Sequence, residues 1–279
     1  MLPPALGQTL QAVVRVRVPA SIANLGPGFD VLAMAVDLWL DVEAEEWDQP
    51  EWEFEGEGAD FLAANPNPLS ALPLRGWVTS DIPLGVGLGS SAAARVAAAA
   101  LCGSDDPIGD AGREEGHYDN VAAAVMGGVV AVVAEEVHGL PVPELEVALF
   151  VAPERLPTDQ ARAVLPAQID RADVVFNAAR LAALVQILHT RQWPMLDLAL
   201  EDRLHQPYRM PLFPWAQDVI DAAREAGAYG AAIAGAGPSV FAFCERRLGD
   251  DVAAAMEQIG PEGGYGLVTK VARHGLDVH

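Results

Sequence analysis

Residues 83–92 read Pro83-Leu84-Gly85-Val86-Gly87-Leu88-Gly89-Ser90-Ser91-Ala92, and an alanine-rich run to Leu101 follows directly. Three glycines at alternate positions permit positive φ and a close approach of backbone to a ligand. Ser90 is placed to cap a helix over 90–101, about 18 Å long at 1.5 Å per residue. Loop N–H groups and the free N–H groups of that helix N-terminus would converge on one point, which is how a phosphate is held. No Gly-Lys-Ser/Thr follows, so this is not a Walker A loop. Serines follow the glycines and no acidic residue ends a second strand, so it is not a Rossmann fingerprint. Upstream, residues 75–80 predict a strand whose end is marked by Pro83.

The chain has 279 residues, enough for one large domain or two small ones. Apolar residues make up 51% and charged residues 20%, which supports a buried core. A formal net charge of −22 argues against gripping nucleic-acid phosphates or an anionic membrane, though a local basic cluster can still hold a small anion. Lys270 is the only lysine, which excludes a Walker A, protein-kinase or Schiff-base lysine upstream of it. Cys102 and Cys244 form no close-spaced pair. A disulfide framework and a Cys-rich zinc site are therefore excluded, and a cytoplasmic location is expected. The opening MLPPALGQTLQ does not read as a signal peptide. The longest apolar run, Val121–Ala134, is too short to span a bilayer. It reads as a buried helix followed by a strand.

Alternation predicts strands over 11–18, ending at Pro19, and over 36–46, with Val36, Leu38, Leu40 and Val42 on one face. Residues 51–57 predict a short edge strand with an acidic outer face. The proline-rich 58–74 and the acidic, glycine-rich 103–116 read as loops. A helix is expected over 118–126, broken by Gly127-Gly128 before a strand at 129–133. A domain boundary is expected near Pro141–Pro143, dividing the chain into 1–142 and 143–279. The second half predicts strand 145–152, helices 173–190, 194–205 and 214–226, strands 229–234 and 239–244, helix 249–259 and strand 266–272. With the helices after the first strand merged, that order is β-α-β-β-α-β, the ferredoxin-like arrangement.

Three further segments bear on function: Pro19-Ala20-Ser21-Ile22-Ala23-Asn24-Leu25-Gly26-Pro27-Gly28-Phe29-Asp30, Gly116-His117-Tyr118-Asp119-Asn120, and Gly235-Ala236-Gly237-Pro238-Ser239. Together with residues 83–92, and in this order, they resemble the GHMP small-molecule kinases, nearest to the homoserine branch, from about Arg15 to about Val271. The resemblance implies an α+β, two-domain fold, with an N-terminal domain like ribosomal protein S5 domain 2 and a ferredoxin-like C-terminal domain. It implies transfer of the γ-phosphoryl of ATP to the side-chain hydroxyl of L-homoserine, with Mg²⁺, giving the precursor of threonine. A homodimer is typical of the family.

The same resemblance assigns residues. Pro83, Gly85, Gly87, Leu88, Gly89, Ser90, Ser91 and Ala92 would form the ATP phosphate site. Ser90 or Ser91 would add a hydroxyl to Mg²⁺ or phosphate. A second Mg²⁺ ligand is expected from a glutamate shortly before the His-x-Asp-Asn stretch, with Glu114 and Glu115 both available. Asn24 and Asp30 are expected near the amino group of homoserine, and His117 and Asp119 at that end and the hydroxyl. Arg162 and Arg209 are expected on the carboxylate, which their planar forks suit. Thr158 would share a helical face with Arg162 and lie near the reacting hydroxyl. Asp119 is the carboxylate best placed to accept the hydroxyl proton; transition-state stabilisation without a base is the alternative.

The chain departs from the family between Gly58 and Asp81. Relatives carry a helix with adenine contacts there; this chain has the proline-broken Asn65-Pro66-Asn67-Pro68-Leu69-Ser70, and neither asparagine is assigned that role. Two other readings stay open. One is a catalytically silent homologue that keeps an amino-acid pocket as a binding or regulatory module. The other is a kinase for another small metabolite, although two arginines with an ammonium partner at Asp30 favour an α-amino acid over a mevalonate-like ligand.

Overall fold

The first sheet grows from one long pairing. In the computed structural model, which describes residues 13–134 and 136–279, β1 (Val14–Asn24) and β2 (Gly28–Glu46) run antiparallel. Positions 11 and 12 of the expected first strand lie outside the described residues. The strand does not stop at Pro19. It continues to Asn24 because Pro19 sits at a register shift, where pairing passes from Trp39 to Val36 and the ladder is already interrupted. β2 likewise begins at Gly28, well before Val36. β3 (Glu51–Gly56) is the expected edge strand, parallel to its neighbour, with Glu51, Glu53 and Glu55 exposed.

Residues 58–74 are not all loop. α1 (Ala59–Ala64) precedes the three prolines, and Asn65 closes it by donating to Phe61 O at 2.9 Å. β4 (Leu74–Ser80) and α2 (Ser90–Leu101) fall where the sequence placed them. Residues 103–116 are not a loop either, because α3 (Pro107–Glu115) occupies them. Its start and stop are locally encoded: Asp106 accepts from Gly109 N at 2.9 Å, Pro107 opens the first turn and Gly116 closes the helix at φ 81°. Gly112 makes the interior look loop-like, yet a Cβ there would stand 2.3 Å from the Tyr118 ring. α4 (Asp119–Met126), β5 (Val129–Val133) and β6 (Glu136–Leu140) follow, with β5 pairing β2.

The second sheet carries the expected arrangement. β7 (Glu146–Val151) is followed by α5 (Thr158–Ala163), α6 (Arg171–Thr190), α7 (Leu196–Ala199), α8 (Gln206–Arg209) and α9 (Ala216–Glu225). Then come β8 (Gly230–Ile233), β9 (Val240–Cys244), α10 (Gly249–Ile259) and β10 (Tyr265–Lys270). The order is β10-β7-β9-β8, with every neighbour antiparallel. Along β7, Val147, Leu149 and Val151 join the core shared with the first sheet, while Ala148 and Phe150 face the core under α9 and α10. Both faces are covered, so the strand is apolar from Val147 to Val151.

The expected helix 194–205 is a short α7. Asp202 turns the chain after it by accepting the N–H groups of Leu204, His205 and Gln206 at 2.9, 2.9 and 2.7 Å. α6 is long and apolar enough to cross a bilayer by length and composition. In the fold it packs Leu184, Ile187 and Leu188 into the shared core, and its buried Asn177 donates to Asp202 at 2.7 Å. The chain end returns to the first sheet, where β11 (Asp277–Val278) pairs β1. The loops after β1 and β4, the start of α4, α5 and the β8–β9 turn all meet in one cleft between the sheets.

Candidate active site

Gly85, Gly87 and Gly89 adopt φ 74°, 87° and 72°, as their spacing predicts. The requirement is absolute at Gly87, where a Cβ would stand 2.2 Å from Ala234 O and 2.9 Å from Gly237 O. The loop is therefore pressed against the β8–β9 turn. It is also tied to α5's approach by Leu156 N donating to Gly85 O at 3.0 Å, and to β1 by Ser21 N donating to Leu88 O at 3.1 Å. Ser90 does not cap α2. Gly89 takes the cap position in a left-handed conformation, and Ser90 is the first helical residue, its Oγ accepting from Gly85 N at 3.4 Å. Pro83, Leu88 and Ala92 do not line the cleft: the glycines face it and these apolar neighbours turn inward and are buried.

Among the described residues, one cleft gathers Asn24, Asp30, Gly85, Gly87, Gly89, Ser90, Ser91, Glu115, His117, Asp119, Thr158, Arg162 and Arg209. Glu114 is not among them; its side chain is 72% exposed. Glu115 lies at the cleft wall with its side chain 10% exposed, and Ser91 Oγ donates to its Oε2 at 3.0 Å. Asn24 is locked between the β8–β9 turn and its own strand connection: its Nδ2 donates to Gly235 O at 2.7 Å and its Oδ1 accepts from Asp30 N at 3.2 Å. Thr158 and Arg162 share one face of α5. Arg162 forms a two-pronged pair with Asp30, at 2.7 and 3.0 Å. The residues expected at opposite ends of a zwitterion are thus bonded to each other.

Asp119 opens α4 and is 2% exposed. Its Oδ1 accepts from Asn120 N at 2.8 Å and from His117 Nδ1 at 3.0 Å. Burial opposes a charged His117, but the bond to Asp119 and the charges of Asp119 and Glu115 outweigh it, so its pKa lies above the ordinary histidine value. The stability this gives is complete below the unfolded pKa of about 6.5 and is lost as pH rises through the higher folded value. Thermal midpoints measured upward from that pH should decline in the parent, and His117→Gln should flatten the decline. A slope unchanged by the substitution would remove His117 as its source.

Arg209 is 1% exposed. Its Nε donates to Ala161 O at 3.2 Å, and its Nη1 donates to Gly235 O at 3.2 Å and to His205 Nδ1 at 3.1 Å. Arginine can only donate, so His205 Nδ1 is the acceptor and its Nε2–H donates to Gly26 O at 2.8 Å. Burial and Arg209 hold the His205 pKa below the ordinary value despite the nearby Asp202. His205, Asp202 and Asn177 form a buried frame for the arginine that sequence reasoning missed; the sign of it was His205 one helical turn before Arg209. Asn120, inside a segment already singled out, also lines the cleft, and accepts from Ser21 Oγ at 3.0 Å.

Beside Ser90 an apolar slot is walled by Leu62, Leu69, Ile82 and Leu84. Asn65 and Asn67 make local backbone bonds. Asn67 donates to Leu62 O at 3.0 Å and accepts from Leu69 N and Ser70 N at 3.1 and 3.0 Å.

The family profile described as GHMP kinases C terminal matches residues 181–262. A homoserine kinase of Moorella thermoacetica is 39% identical over 275 residues, covering 88% of this chain and 93% of that protein. The crystal structure of a homoserine kinase from Cytophaga hutchinsonii superposes with a TM-score of 0.83 at 29% identity, covering 99% of this chain and 100% of that one. Mevalonate kinase from L. major shares the fold, with a TM-score of 0.70 at 13% identity over 99% of this chain and all of that one. With 39% identity sustained across nearly the whole length of a relative, the chain belongs to the homoserine kinase branch of the GHMP kinase family.

Proposed function

We propose that this cleft transfers the γ-phosphoryl group of MgATP to the side-chain hydroxyl of L-homoserine, giving O-phospho-L-homoserine for threonine biosynthesis. The observation that carries the reading is the Asp30–Arg162 pair lying in one cleft with the glycine loop. It is the mirror image of a zwitterion. An amino acid entering it gives its ammonium to Asp30 and its carboxylate to Arg162 and Arg209, so neither member of the pair is left without a partner. The hydroxyl then lies toward Asp119 and Thr158. Asp119 Oδ1 is occupied by His117 and Asn120, which leaves Oδ2 to accept the proton.

The phosphates would rest on the N–H groups of the glycine loop and the first turn of α2. The apolar slot beside Ser90, lined by Leu62, Leu84 and Asn67 among others, is the adenine side, and it must open to admit the base. Ser91 Oγ and Glu115 Oε2 are hard oxygen donors 3.0 Å apart. No cluster of three metal-ligating side chains occurs among the described residues. That suits Mg²⁺, which takes one or two protein oxygens and completes its shell with phosphates and water. When bound, Mg²⁺ neutralises charge on the transferring phosphates. The acidic surface opposes nucleotide approach only within about 8 Å. Division into units 1–142 and 143–279 and a cytoplasmic location are part of the same reading.

The test is ADP release from MgATP by the purified protein, with L-homoserine set against L-serine, L-threonine, mevalonate and galactose. Homoserine-dependent turnover exceeding the panel by at least about tenfold is expected, a discrimination that satisfied polar groups can supply. Homoserine binding without turnover would instead mark a silent binding module.

A further inference from the structure

α2 is built of serine, alanine, valine and leucine apart from one charged residue, Arg95. Arg95 lies one turn beyond Ser91, and its Nη1 donates both to Ser91 Oγ and to Glu115 Oε2. Glu114 contributes a longer contact, 4.0 Å from Arg95 Nε. The arginine is only 24% exposed, and its Nε is buried with no hydrogen-bond partner. A guanidinium thus holds the same two oxygens that suit a hard cation, and it holds them imperfectly.

We propose that Arg95 is a built-in competitor of Mg²⁺ for Glu115, a role that rests on reading Ser91 and Glu115 as the metal side of the cleft. A guanidinium and a divalent cation cannot share the same carboxylate lone pairs, and at contact distance in a partly desolvated site they repel strongly. Mg²⁺ must therefore move Arg95 off Glu115, and nucleotide binding needs a higher Mg²⁺ concentration than Glu115 alone would require. The displaced guanidinium stays one helical turn from the phosphate loop, where it attracts the nucleotide anion.

The experiment follows binding rather than turnover. Fluorescent MANT-ADP is titrated into the full-length protein across a Mg²⁺ series and in EDTA, with correction for Mg²⁺ held by free nucleotide. Arg95→Gln should lower the half-saturating Mg²⁺ at least about fivefold, the effect of removing one adjacent like charge. In EDTA the variant should bind no tighter than the parent. Arg95→Ala serves the same purpose should the first variant fail to fold. A half-saturating Mg²⁺ that is unchanged or raised overturns the proposal. Glu115→Gln separates the two levels. If it abolishes the Mg²⁺ dependence while Arg95→Gln shifts nothing, the competition alone fails. If Glu115→Gln keeps the parent's Mg²⁺ dependence, the metal-site reading fails and the proposal with it.

Discussion

Asp119→Asn is expected to lower kcat by about 10²–10⁴-fold, the range for loss of a positioned proton acceptor, and to leave KM for homoserine close to the parent's. The substitution is nearly isosteric. An amide oxygen at the Oδ1 position still accepts from Asn120 N and from His117 Nδ1, the bonds that orient the side chain at 2.8 and 3.0 Å. The atom facing the cleft becomes an amino group, which donates and cannot take a proton. His117 loses the carboxylate that holds its pKa up, so the acid side of the pH profile should shift as well. Steady-state kinetics with homoserine varied at saturating MgATP separates the outcomes. A kcat near that of the parent would remove Asp119 as acceptor and leave transition-state stabilisation by the loop and metal. A raised KM with unchanged kcat would move Asp119 to the ammonium end.

Much of this site was readable because its motifs are local. Three alternate glycines followed by two serines dictate a left-handed loop and a helix start within a single segment, and α2 runs from Ser90 to Leu101 as expected. What escaped was set by partners distant in sequence. Ser90 looked like a cap, but Gly89 packs a Cβ-width from Ser21 and takes the cap position itself. Glu114 and Glu115 could not be told apart while 103–116 read as loop. Once those residues form α3, neighbours point about 100° apart, since 3.6 residues make a turn, and Glu115 alone reaches Ser91. The frame behind Arg209 joins α6, the loop after α7 and the turn after β1, three places that no local pattern connects. Pairing of Asp30 with Arg162 spans 132 positions.

Arg209→Leu is expected to raise KM for homoserine by about 100- to 4,000-fold, with a smaller change in kcat. The scale follows from removing one partner of a buried charge pair, about 3–5 kcal/mol, at about 1.4 kcal/mol per factor of ten. Burial and the adjacent Arg162 push the Arg209 pKa down to about 10, so it is still cationic at neutral pH and ready for a carboxylate. Arg162 sits at the cleft mouth with a third of its side chain open to water and Asp30 already bonded to it, at 36% exposure. Its removal should cost less, because water screens what it contributes. Leucine at 209 also strands Ala161 O and His205 Nδ1, each a buried acceptor worth about 1–3 kcal/mol, while Gly235 O keeps Asn24 Nδ2, so the thermal midpoint should fall. Arg209→Lys distinguishes the two effects. It keeps a charge but not the fork that reaches Ala161 through Nε and His205 and Gly235 through Nη1, and should recover part of the midpoint while KM stays high. MANT-ADP affinity should be unchanged in both variants if Arg209 serves the amino-acid end as proposed. A parent-like KM in a folded Arg209→Leu protein would take this arginine out of the substrate pocket, leaving it as a cation that ties the β8–β9 turn to α5 through Gly235 and Ala161.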